Sequence, residues 1–134
     1  MKMVYVDTNV ILRYLTNDVA SLALRAKRWF QKAEEGSCKA LVLHITLVEV
    51  IFLLEHWYEQ DKRTSVEQLL LFISPDWLSV SSKGAVVEAL EEYKENTIDF
   101  VDLLTWALAR EEDANIVSFD KHFDRLDPNL RVEP

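Results

Sequence analysis

Apolar positions along this chain fall into two periods. Met3-Val4-Tyr5-Val6, Ala40-Leu41-Val42-Leu43, Trp77-Leu78-Ser79-Val80-Ser81 and Asn115-Ile116-Val117-Ser118 are short runs with strand character, and Leu130-Arg131-Val132 reads as a last edge strand. Helical spacing fills the intervals. Thr8 to Leu15 is helical, with Asp7 or Thr8 able to cap it, and Asp18 to Glu35 follows with Leu22, Ala26, Trp29 and Ala33 on one face and Gly36 as a stop. Thr46 to Glu59 is very apolar in its first half, and Thr64 is placed to cap a helix that ends at Ile73, before Pro75. Gly84 to Asn96 carries Val86, Val87, Leu90 and Tyr93 on one side, and Asp99 to Glu112 is a further helix. Strands alternating with helices predict an α/β fold of three layers, a mostly parallel central sheet of four to five short strands flanked by helices.

Composition narrows this picture. A chain of 134 residues with 49% hydrophobic residues can bury a core, and its 2 glycines and 3 prolines leave little linker, so residues 1–134 are expected to form a single domain. Cys38 is the only cysteine, which excludes an intrachain disulfide and a cysteine zinc site. The longest apolar runs, Val50 to Leu54 and Leu69 to Ile73, are too short to span a bilayer, and the first residues reach Asp7 too early for a signal-peptide core. The expectation is a soluble, cytoplasmic protein. A net charge of −8 argues against electrostatic wrapping of nucleic acid, unless several acids share a metal.

Four acids stand out: Asp7, Glu49, Asp102 and Asp120. Asp7 and Asp120 each follow a strand, where either can serve as a helix cap. In open α/β sheets ligands sit outside the carboxyl ends of the strands, so the same two positions suit a site. Asp99 and Asp102 are three apart, on one helix face. Glu49 has Ile45, Phe52 and Leu53 as helical neighbours, so it is expected to face a polar cleft or a cationic partner rather than plain solvent. His44, His56 and His122 show no metal-ligand spacing among themselves, and Trp57, Tyr58, Trp77 and Trp106 read as packing residues. With only Gly36 and Gly84 there is no P-loop, no dinucleotide fingerprint and no nucleophile elbow.

Taken together, Val4-Tyr5-Val6-Asp7-Thr8-Asn9, Val48-Glu49-Val50, Asp99-Phe100-Val101-Asp102-Leu103-Leu104-Thr105-Trp106-Ala107 and Ile116-Val117-Ser118-Phe119-Asp120-Lys121-His122-Phe123 resemble the PIN-domain ribonucleases, specifically the VapC toxins of toxin–antitoxin pairs. The resemblance covers nearly the whole chain. It implies catalytic acids at Asp7, Glu49, Asp102 and Asp120, with Asp99, Thr8, Asn9 and Ser118 as auxiliaries. Trp106 stands where the family more often has a small residue. It further implies one or two Mg²⁺ or Mn²⁺ ions held by Asp7, Asp102 and Asp120. Hydrolysis of RNA phosphodiesters, a VapB-type antitoxin and a homodimer complete the expectation. Arg13, Arg25, Arg28 and Lys121 are candidate RNA contacts. A PIN nuclease outside a toxin–antitoxin pair, or a non-catalytic PIN-like binding module, are the competing readings. A haloacid-dehalogenase phosphatase would need a second acid where this chain has Asn9.

Overall fold

The computed structural model describes residues 1–134, and its backbone contacts divide into two compact units, Met1–Lys83 and Gly84–Pro134. All strand pairs are parallel, as the α/β alternation requires, but the five strands form one three-stranded and one two-stranded sheet.

The first unit holds β1 (Met3–Tyr5), β2 (Lys39–Val42) and β3 (Leu78–Val80), in that spatial order. Met3 pairs with Lys39, and Ala40 with Leu78. Ala40 and Val42 of the central strand and Leu78 of β3 are almost fully buried. Helices α1 (Thr8–Thr16) and α2 (Ala20–Glu34) connect β1 to β2; α3 (His44–His56) and α4 (Lys62–Ile73) connect β2 to β3. Such long helical crossovers are what parallel neighbours need.

The buried stripe of α2 is Ala23, Ala26, Phe30 and Ala33. It differs from the expected stripe at two members, each shifted by one residue: Ala23 rather than Leu22, and Phe30 rather than Trp29, enter the core. Small alanines let α2 approach its neighbours closely. Phe30 then packs against Tyr14 at 4.7 Å, Phe72 at 5.5 Å and Trp77 at 6.4 Å between ring centroids. Leu22 and Trp29 are left half-buried.

Capping residues differ in part from expectation. Asp7 caps α1, accepting from the Asn9 N–H at 3.1 Å. Asp61, not Thr64, caps α4, and the Thr64 N–H donates to it at 3.1 Å. Leu43 precedes α3 and has no side-chain acceptor, so the Ser81 hydroxyl beyond β3 accepts from the His44 N–H at 2.8 Å. That acceptor, 37 residues away in sequence, lets α3 begin two residues earlier than Thr46.

Helices often end through left-handed backbone, which Gly favours. Gly36 does this after α2 with φ 95°, but Asn17, Glu59 and Asp113 do it with side chains attached, at φ 56°, 52° and 54°. The Gln60 N–H reaches Leu54 O at 2.8 Å and the Ala114 N–H reaches Ala109 O at 2.8 Å, closing the turns at Glu59 and Asp113. Ser82 adopts the same region before α5.

The second unit contains most of α5 (Lys83–Glu95), then α6 (Phe100–Glu111), β4 (Ile116–Val117), a 3₁₀ turn (Lys121–Arg125) and β5 (Arg131–Val132). Its core is Ala85, Val86, Ala89 and Leu90 from α5 with Phe100, Leu103, Leu104, Trp106 and Ala107 from α6. Arg110 pairs with Glu88 and lies 5.0 Å over the Trp106 ring. Trp106 is buried, yet its indole N–H has no partner. β5 pairs with β4, Ile116 opposite Arg131, so the expected edge strand finds its neighbour there.

Candidate active site

The second unit brings three ligand-bearing side chains together. Asp102 lies in the first turn of α6, where a negative charge is favoured by the helix dipole. Asp120 follows β4 and caps the 3₁₀ turn, its Oδ1 accepting from the His122 N–H at 3.1 Å. That turn carries the His122 ring back between the acids. Nδ1 lies 3.0 Å from Asp120 Oδ1, and Nε2 lies 3.2 Å from Asp102 Oδ2, the latter without hydrogen-bond geometry. Donor atoms of all three residues fall within 4.8 Å of one another. His122 was missed in the sequence because its partners are carboxylates rather than other histidines. The signal was its position two residues after Asp120.

A second layer holds this turn. The Ser118 hydroxyl accepts from the Asp120 N–H at 2.9 Å. Arg131 on β5 donates to Ser118 O at 3.0 Å, to Asp124 at 3.1 and 3.2 Å, and to Glu133 at 2.6 Å. Arg131 hydrogen bonding holds the Asp124 carboxyl below its ordinary range, against the opposing effect of burial. Asp124 and Glu133 in turn keep the guanidinium protonated. Asp99 occupies the N-cap position of α6 but makes no capping bond, so its exposed carboxylate remains uncommitted. Lys121 is exposed at the start of the 3₁₀ turn.

In the first unit, Asp7 uses Oδ2 on the Asn9 N–H and leaves its other oxygen free. Thr8, the next residue, is buried. Asp7, Asn9, Arg13 and Arg25 line a cavity of about 690 Å³, with Tyr5 and Trp29 among its walls. Arg13 is committed elsewhere, to Asp18 at 2.5 Å. The Tyr58 hydroxyl donates to the same carboxylate at 2.8 Å and is the main reason that the Asp18 carboxyl sits below its ordinary range. Arg25 and Arg28 are exposed on α2, and Arg28 is not part of the cavity lining.

Glu49 corrects one argument made from sequence. Its helical neighbours Ile45 and Phe52 are themselves 67% and 57% exposed, and Glu49 is exposed between them. Apolar neighbours argued against a plainly solvated position, but α3 is apolar on more sides than its unit covers. Leu47, Val50, Ile51 and Leu54 take the buried side and Glu49 shares the open one. Trp57, at the end of the same helix, is likewise 76% exposed rather than packed. Trp106 is buried, as expected, and Trp77 joins the aromatic cluster around Phe30.

Two carboxylates and an imidazole so arranged offer a donor set that suits a divalent cation. Asp7 follows β1 and Asp120 follows β4, each beyond the end of a strand in a parallel sheet. The PIN domain family model matches residues 4–128, and the chain belongs to the PIN-domain family. It is also similar to a VapC ribonuclease of Aquifex aeolicus (strain VF5), with 23% identity over 125 residues that cover 92% of each chain. No helix is long and apolar enough to cross a membrane.

Proposed function

We propose that this protein is a metal-dependent endoribonuclease of the VapC type, with residues 1–134 acting as one PIN domain. The observation that carries the reading is the convergence of Asp102, Asp120 and His122 in a PIN-family chain. The similarity to a VapC ribonuclease supports it.

Asp102 and Asp120, with Asp7, would hold Mg²⁺ or Mn²⁺, one or two ions per site. The bound ion supplies positive charge for a phosphate oxygen and a lowered pKa for water. The remaining roles belong to side chains. Glu49 and Asp99 have carboxylates free of capping bonds, and Glu49 is assigned to orient the attacking water and accept its proton. Ser118 fixes Asp120 through the Asp120 N–H, the Asn9 N–H holds one oxygen of Asp7, and Thr8 is the buried residue next to it. Water adds to phosphorus, the P–O3′ bond breaks, and the departing 3′ oxygen takes a proton. The products are a 5′-phosphate and a 3′-hydroxyl.

Arg25, Arg28 and Lys121 are assigned to RNA-backbone contacts, with Arg13 as a weaker candidate because Asp18 already neutralises it. The proposed partners are a second copy of the chain and a VapB-type antitoxin, whose basic or amphipathic segment would complement the net charge of −8. The proposed compartment is the cytoplasm.

The test is cleavage of single-stranded RNA by the purified protein with Mg²⁺ or Mn²⁺. Activity should vanish with EDTA and fall at least about 10²-fold in Asp7→Asn and Asp102→Asn, the scale of losing an electrostatic contact in the transition state. Cleavage that survives EDTA and both substitutions would overturn the reading. Growth arrest on induction of wild type but not of Asp7→Asn tests the toxin role.

A further inference from the structure

We infer that the cavity beside Asp7 is a single-nucleotide subsite, in which Trp29 stacks on a base of single-stranded RNA and Arg25 meets the adjoining phosphate. The inference rests on the ribonuclease reading for its ligand but on separate residues for its geometry.

Trp29 lies off the buried stripe of α2, which Ala23, Ala26, Phe30 and Ala33 occupy. A large indole beside that stripe adds little to the core. It lines the Asp7 cavity instead, half-buried, together with Tyr5, which is 64% exposed. The ring contact of Trp29 is edge-on to Phe30, at 5.3 Å and 78°, so no aromatic ring of the protein lies parallel to it. Phe30 is itself held by Tyr14, Phe72 and Trp77, which fixes the base of this contact. An indole held by its neighbour and left without a parallel partner is a platform for a flat ligand.

Arg25 stands four residues before Trp29, so both project from the same helix face one turn apart. Arg13, the other cation lining the cavity, is neutralised by Asp18, whereas Arg25 has neither an ion pair nor a hydrogen bond. The surrounding helix adds to this field. α2 carries Arg25, Lys27, Arg28 and Lys32 against one acid, Glu34, in a chain of net charge −8. Of these only Arg25 lines the cavity, and a cation beside an aromatic wall is how single-stranded nucleic acid is bound without base reading. A volume of about 690 Å³ lies within the ordinary range for small-ligand cavities. Duplex RNA keeps its bases stacked on one another and offers none to the indole.

The test uses the full-length protein in EDTA, titrated with a single-stranded RNA octamer and with a duplex of the same sequence. Binding of the single strand should quench tryptophan fluorescence, and the quench should be lost in Trp29→Phe while most of the affinity remains. Trp29→Ala should weaken binding about tenfold, the scale of one base–aromatic stack. Where cleavage is measurable, that loss should appear in KM rather than kcat. Arg25→Gln, at an exposed position, should weaken binding and lower the salt dependence by about one ion. Equal quenching by duplex, or wild-type affinity in both Trp29→Ala and Arg25→Gln, would overturn the subsite. Quenching without any cleavage would keep the subsite and remove the ribonuclease reading; cleavage with unchanged affinity in these variants would do the reverse.

Discussion

Nε2 of His122 lies 3.2 Å from Asp102 Oδ2, and the same ring reaches Asp120 through Nδ1. One imidazole therefore spans the two acids proposed to hold metal. If it ligates or orients them, His122→Ala should weaken Mn²⁺ binding roughly 10–100-fold, the usual effect of losing an orienting partner. Titration calorimetry with Mn²⁺ measures this directly. Unchanged or tighter binding would remove His122 from the site.

Glu49 separates structure from chemistry. It is exposed and the fold gains nothing visible from its charge. Glu49→Gln should therefore change unfolding free energy by less than about 0.5 kcal/mol. RNA cleavage should nevertheless fall by about 10²-fold or more, the low end for removing a general base. A variant with normal turnover would end the assignment of Glu49 to the attacking water.

Phe30 is the center of the aromatic cluster in the first unit and is 2% exposed. Phe30→Ala should cost about 3–5 kcal/mol, as expected for truncating a buried aromatic. Urea unfolding followed by tryptophan fluorescence provides the measurement. A loss below about 1 kcal/mol would mean that the cluster closes around the gap.

Asp18 and Tyr58 predict two flanks of pH dependence. The Asp18 carboxyl is lowered from 3.8, chiefly by the Tyr58 hydroxyl, so its contribution to stability is present above 3.8 and lost as pH falls through the folded value. The Tyr58 hydroxyl is raised from 10.0, by burial first and then by its bond to Asp18, so that contribution is present below 10.0 and lost as pH rises through the folded value. Tyr58→Phe should flatten both flanks in thermal melts between acid and alkaline pH. An unchanged acid flank would show that Arg13 and Thr16 hold Asp18 without Tyr58.

Arg131 holds the backbone at Ser118 and the side chain of Asp124 together. Arg131→Gln should lower the melting temperature and loosen the turn that carries Asp120 and His122. Mn²⁺ affinity should therefore fall although no proposed ligand has changed. Affinity equal to wild type would show that the turn holds itself through the Asp120 cap.

Much of this was legible in the sequence, for physical reasons that differ by element. The strand–acid–helix junctions at Asp7 and Asp120 were readable because a short β run followed by a capping residue is a local signal. The start of α3 was not, since its acceptor is the Ser81 hydroxyl, 37 residues away just beyond β3. Phe30 replaced Trp29 in the core because periodicity places a stripe only to within a residue. The expectation that Glu49 avoids plain solvent rested on apolar neighbours, but neighbours in sequence do not guarantee that a helix face is covered, and Glu49 is exposed. His122 escaped notice because a search for histidine spacing ignores carboxylate partners brought in by the fold.

The left-handed turns at Asn17, Glu59, Ser82 and Asp113 bear on the other side of the folding equilibrium. A residue with a side chain in that region costs about 1–2 kcal/mol relative to right-handed backbone. Glycine would relieve that strain, but each glycine also gives the unfolded chain more conformations to lose, at about 0.4–1 kcal/mol. With glycine at only 2 of 134 positions, the unfolded ensemble of this protein is comparatively stiff. Strain in four native turns is thus set against disorder that the denatured chain never acquires.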